Sequence, residues 1–123
     1  MKIINTPNAP AAIGPYSQGV ATNDLIFFSG QIALLPEGGF LDENLEAQAL
    51  QVFKNIDALL LEAGVAKTNI AKATVFLEDL GNFTEFNELY SAWLNGHKPA
   101  RSCVQATLPK GAKVEVEVIV AQN

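Results

Sequence analysis

Apolar residues recur along this chain in two rhythms. Leu45, Ala49, Val52, Phe53, Ile56, Leu59, Leu60 and Ala63 fall at three and four residue steps, the period of one helix face, and Gly64 stands where such a helix would end. Phe86, Leu89, Tyr90, Trp93 and Leu94 repeat the pattern, which predicts a second helix over Phe83 to Asn95 closed by Gly96. Elsewhere the period is two. Strands are predicted around Tyr16 to Ala21 and over Leu25 to Ile32, Ile70 to Leu77, Arg101 to Thr107 and Val114 to Val120. Asn23-Asp24 makes the first turn, Pro36 to Phe40 a loop, and the proline-bearing start reads as irregular.

The element order β-β-α-β-α-β-β describes an α+β domain over residues 1 to 123. Right-handed crossovers put both helices on one face of a single mixed sheet and leave the other face bare. The strand from Leu25 is apolar on both faces, with Phe27 on one and Phe28 on the other, so a second subunit is expected to cover the bare side.

Composition agrees with a buried surface of that kind. Of 123 residues 49% are hydrophobic and 17% charged. The formal net charge is -5 and the pI about 4.7, a field that repels phosphate backbones, so nucleic acid is not an expected partner. No apolar run approaches a membrane span, and the start from Met1 to Pro7 has no signal-peptide core, so a cytoplasmic location is expected. One cysteine and one histidine, His97 in a solvated loop, provide no ligand set for a metal. No glycine motif cradles a phosphate. Any chemistry is expected to run on side chains and water, without a cofactor.

Only one of the eight basic residues is an arginine. Arg101 opens a strand in Pro99-Ala100-Arg101-Ser102-Cys103-Val104. Its planar fork of donors fits a carboxylate two-on-two, whether that of an internal acid or of a ligand. In the last strand Val114, Val116 and Val118 share one face and Glu115 and Glu117 the other, set either towards water or towards another subunit. Were the last two strands a hairpin, Gln105 would oppose Val116, leaving Arg101 and Glu115 on the order of 15 Å apart in one chain. A shared site would then draw Arg101 from one subunit and Glu115 from the next.

Ile13-Gly14-Pro15-Tyr16-Ser17-Gln18, Phe28-Ser29-Gly30-Gln31-Ile32, Phe86-Asn87-Glu88-Leu89-Tyr90, Pro99-Ala100-Arg101-Ser102-Cys103-Val104 and Val114-Glu115-Val116-Glu117 resemble, in order, motifs of the RidA (YjgF/YER057c/UK114) family. The likeness spans nearly the whole chain. It implies a chorismate-mutase-like homotrimer with clefts between subunits and a 2-iminobutanoate/2-iminopropanoate deaminase activity, which detoxifies reactive imino acids by hydrolysis to 2-oxo acids and ammonia. Carried over position by position, it implies that Arg101 binds the substrate carboxylate and Glu115 activates water. Tyr16, Ser29, Gly30, Asn87 and the backbone at Cys103 would line the pocket, Cys103 as a packed thiol. The stretch between Tyr90 and Pro99 is shorter than is usual in that family. The alternative reading is a non-catalytic module that binds 2-oxo or amino acids in the same cleft.

Overall fold

The computed structural model describes all 123 residues. Six strands form one mixed sheet in the order β1-β2-β3-β6-β4-β5: β1 (Lys2–Ile4), β2 (Gly19–Ala21), β3 (Leu25–Phe28), β4 (Ile70–Leu77), β5 (Ala100–Gln105) and β6 (Val114–Ala121). Two helices, α1 (Leu45–Ala63) and α2 (Phe83–Leu94), pack on one face. Only β4 and β5 run parallel. No helix is long and apolar enough to cross a membrane.

The bounds of α1 follow from its ends. Asn44 accepts a hydrogen bond from Ala47 N through its side chain, which satisfies one of the free amides of the first turn. Gly64 takes the left-handed conformation at φ 72° and closes the last turn on Leu60 and Leu61. α2 ends in the same conformation one residue earlier than expected, at Asn95 (φ 49°).

The core is the layer between these helices and the inward side of the sheet. Val114, Val116, Val118 and Val120 of β6 alternate into it and are fully buried, as are Ala73, Val75 and Leu77 of β4. Phe53 stacks on Trp93 with ring centroids 4.4 Å apart. Two buried amides tie α1 to what lies beneath: Gln48 accepts from Lys113 N and donates to Glu43 O, and Asn55 donates to Leu34 O and Ile32 O. Every polar end buried on α1 thus has a partner, as burial demands.

Three features depart from the periodicity. Lys2–Ile4 forms an edge strand on β2 with Ile4 buried, too short for a period to show. Its return is held by Gln18, which accepts from Thr6 N and donates to Thr6 O and Pro10 O. The hairpin of β5 with β6 does not form: β6 inserts between β3 and β4, and β5 lies outside β4. Val116 therefore opposes Val75 on one side and Gln31 on the other, and Gln105 opposes Leu77. The Leu108–Lys113 connection carries the chain from β5 past β4 to β6 through a single 3-10 turn, with Lys110 held at φ 58°. Third, β3 is interrupted. Four positions separate Phe27 from Gln31 while three separate their partners Ile119 and Val116, so Ser29-Gly30 carries one extra residue, a β-bulge.

The side of the sheet away from the helices is uncovered. Ile3, Val20, Phe27 and Ile119 line up across four strands there, and Phe27 and Val104 are each more than two-fifths exposed. At the core side of β2 space is the constraint. A methyl on Gly19 would lie 2.7 Å from the ring of Phe28. Gly19→Ala is expected to lower stability by about 1–3 kcal/mol through overpacking, read as a drop of several degrees in the thermal transition followed by circular dichroism.

Candidate active site

Arg101 points to the helix side of the sheet, under α2. Its register partner Ala73 is a buried core residue, so the arginine shares the inward face with Cys103 at the open edge. Phe83, Asn87 and Tyr90 fall at four and three residue steps on α2 and therefore meet it together. Arg101 Nη1 donates to Asn87 Oδ1 at 2.7 Å, and the guanidinium carbon lies 5.4 Å from the centroid of Phe83 and 5.0 Å from that of Tyr90. No acidic side chain pairs with it; the only ion pair in the chain joins Lys67 to Asp57 at 3.6 Å. A half-buried guanidinium with one donor engaged has most of its fork free for an external acid.

Its neighbours carry that charge's imprint. Burial pushes the Tyr90 hydroxyl up, and the Arg101 charge pulls it part of the way back. Cys103 responds in the same way, burial raising its thiol and Arg101 opposing the rise. A thiol so shifted is a weak nucleophile, which agrees with a packing role for Cys103. The Tyr90 hydroxyl is the one buried side-chain polar atom without a partner.

Glu115 occupies the opposite side of the sheet. It neighbours Phe76 on β4 and lies beside the bulge in β3, at a cavity of about 170 Å³ whose wall includes Tyr16, Gly30, Gln31, Ile32 and Lys110. Burial raises its pKa first, and the like charge of Glu117 two residues on raises it further. Its carboxylate accepts no hydrogen bond from the protein. Tyr16 is half exposed at the cavity's rim, where a tight turn from Gly14 O to Tyr16 N sets it. Ser29 donates its hydroxyl proton to Ser17 O at 2.6 Å, so its remaining capacity is as an acceptor.

Within one chain, then, the candidate residues form two groups. Asn87, Cys103 and Arg101 stand on the inward side at one sheet edge, while Tyr16, Ser29, Gly30 and Glu115 cluster around the bulge. Register places Glu115 two strands and three residues from Arg101, roughly 14 Å along the sheet, with the two side chains on opposite faces. No small ligand spans that separation.

Three neighbours of these groups were not picked out from the sequence as site residues. Phe83 was legible only as the predicted start of the helix and Tyr90 as one of its apolar positions and the end of a motif, although their spacing around Asn87 was a signal that the three share a face. Lys110 gave none, since only the backbone turn brings it to the Glu115 cavity. His97 is half-buried rather than solvated, with Nε2 2.8 Å from Ile70 O. No three His, Cys, Asp or Glu side chains come together as a metal-binding group.

Comparison with known proteins places this arrangement in context. Residues 6–122 match the family described as Endoribonuclease L-PSP. The 2-iminobutanoate/2-iminopropanoate deaminase of Salmonella typhimurium is 45% identical over 99% of this chain and 98% of its own length. Among solved structures, Escherichia coli TdcF with bound serine superposes with a TM-score of 0.94 at 41% identity, covering the whole of both chains. Yeast Mmf1 does so with a TM-score of 0.95 at 38% identity, over 99% of this chain and 98% of that one.

Proposed function

The chain belongs to the Endoribonuclease L-PSP (YjgF/RidA) family, and on that footing we propose that it is a cofactor-free imine hydrolase converting 2-imino acids to 2-oxo acids and ammonia. The observation that carries this reading is the half-buried, acid-free guanidinium of Arg101. A 2-imino acid offers it a carboxylate next to an electrophilic carbon. The deaminase name of the Salmonella relative points to that substrate class, and the serine bound in TdcF to small amino acids as ligands of the same fold.

In this proposal the fork of Arg101 fixes the carboxylate, and Asn87 holds the fork. Glu115 takes a proton from a water as its oxygen bonds to the imine carbon, and the C=N electron pair moves onto nitrogen. The nitrogen receives that proton from Glu115, giving a carbinolamine; the carboxylate then takes the carbinol hydroxyl proton and passes it to nitrogen as the C–N bond breaks and the C=O forms, and ammonia leaves. Tyr16, Ser29, Gly30 and the Cys103 backbone line the pocket. Because the two groups lie on opposite faces of one sheet, Arg101 comes from one protomer and Glu115 from its neighbour, in a cytoplasmic homotrimer whose bare sheet faces cover one another.

The name of the family suggests RNA cleavage instead. Thirteen acidic against eight basic residues leave little to neutralise a phosphate backbone, so hydrolysis of imino acids is the stronger reading. A sensor using the same cleft is the second alternative.

Subunit mixing tests the shared site. Arg101→Ala and Glu115→Ala proteins, each inactive, are unfolded together in equal amounts, refolded and assayed by ammonia release coupled to threonine dehydratase. Random reassembly should restore about one quarter of the wild-type sites, because a site then needs one intact Arg101 and one intact Glu115 from adjacent protomers. No recovery would refute the shared site, and a wild-type protein that binds 2-oxobutanoate without speeding ammonia release would leave the sensor.

A further inference from the structure

We infer that Gly30 is a positioning residue for Glu115, the bulge in β3 existing to lay bare backbone beneath that carboxylate. The inference rests on the proposed role of Glu115 in hydrolysis and deepens it. A Cβ built on Gly30 would overlap Glu115 Oε2 and lie 3.0 Å from Cδ and 3.2 Å from Cγ. The carboxylate thus occupies the volume that any other residue's side chain would take.

The glycine is not there for its backbone. Gly30 is not among the positive-φ residues of the chain, which include Gly38, Gly39, Gly64, Gly96 and Gly111, so no left-handed conformation calls for glycine there. Nor is the backbone free to give way. Ser29 N donates to Gln18 O at 2.9 Å, and Gln31 and Val116 exchange bonds of 2.8 and 3.1 Å, which fixes the residues on both sides. An added methyl must therefore move the flexible end of Glu115 and not the strand. Gly19 is the contrast, because its vacant Cβ direction meets a core ring.

Shape is also the only thing that holds the carboxylate. With no protein donor on either oxygen, it is located by the floor at Gly30 and by the cavity wall. The titratable groups facing it are Glu117 on its own strand and, across the cavity, Lys110 and Tyr16; Phe76, its partner on β4, is uncharged. A displacement of about 1 Å of a reacting group suffices for losses near 10²-fold.

The test is a double-mutant cycle of Gly30→Ala with Glu115→Asp, in the intact protein. Gly30→Ala should lower kcat about 30-fold with little change in KM and an unchanged melting temperature. The shorter acid withdraws its oxygens from the floor, so in the Glu115→Asp background the same substitution should cost less than about 3-fold. Carbon-13 NMR titration supplies a readout independent of activity: pushed towards solvent, the Glu115 carboxyl of Gly30→Ala should titrate closer to the ordinary glutamate value than in wild type. Equal losses in both backgrounds, an unmoved titration, or failure of Gly30→Ala to fold would each overturn the inference. A wild-type protein that hydrolyses no imine would sink the proposed function alone, and the NMR arm would still decide the role of Gly30.

Discussion

Arg101→Ala is expected to lower kcat/KM for 2-imino acids by about 10³-fold, equivalent to roughly 4 kcal/mol of lost recognition. The magnitude follows from the setting. The guanidinium is half-buried between two aromatic rings, has no internal carboxylate to fall back on, and already spends one nitrogen on Asn87. A substrate carboxylate docked on it makes charge-assisted bonds out of bulk water, where removal of one partner typically costs about 2–5 kcal/mol. Arg101→Lys keeps the charge but neither the fork nor the flat stacking surface, so it should recover no more than about a tenth of the loss. Stability should fall by no more than about 1–2 kcal/mol, because two cation–π contacts at an open sheet edge are worth about 0.5–1 kcal/mol each. Ammonia release coupled to threonine dehydratase, alongside the melting temperature of each variant, separates the two effects. Hydrolysis that survives Arg101→Ala within about 3-fold would remove the guanidinium from the mechanism.

Much of this architecture was written in local periodicity, and what was not has a physical reason. Both helices and β4 were legible because their apolar residues repeat over many positions, and Gly64 and Gly96 marked where the two helices close. Pairing is different. That β6 passes between β3 and β4 is decided by long-range packing of Val114 to Val120 against Val75 and Ile26, and no turn residue between Leu108 and Lys113 announces it. The bulge was hidden for a related reason. Ser29-Gly30 inside an apolar run reads as a continuous strand, and the extra residue shows only when the partners Ile119 and Val116 are counted. The site followed the same division: Arg101 and Glu115 stood out by residue type and motif, whereas their placement on opposite faces needed the topology.

That division makes the second large effect a sharper test of chemistry than the first, since Glu115 touches the proposed reaction and not the substrate's anchor. Glu115→Gln should lower kcat by about 10²–10⁴-fold while leaving KM nearly unchanged, because an amide preserves the shape over Gly30 but takes no proton. Burial and Glu117 hold the Glu115 carboxyl above the ordinary glutamate value of 4.5, and a general base works only when ionised. Wild-type kcat should therefore rise with pH through that raised pKa and level off above it. Glu117→Gln, which removes the like charge, should move this acid limb to lower pH. Stability runs the other way. A carboxyl whose pKa is raised on folding favours the native state while protonated, and that contribution is lost as pH rises through the folded value. At pH 7 the ionised Glu115 is a burden to the fold, so Glu115→Gln should melt no lower than wild type, and the gap should close as pH falls into the ordinary carboxylate range. A variant that is both inactive and at least as stable would separate a catalytic carboxylate from a structural one, whereas loss of stability together with activity would assign Glu115 to the fold.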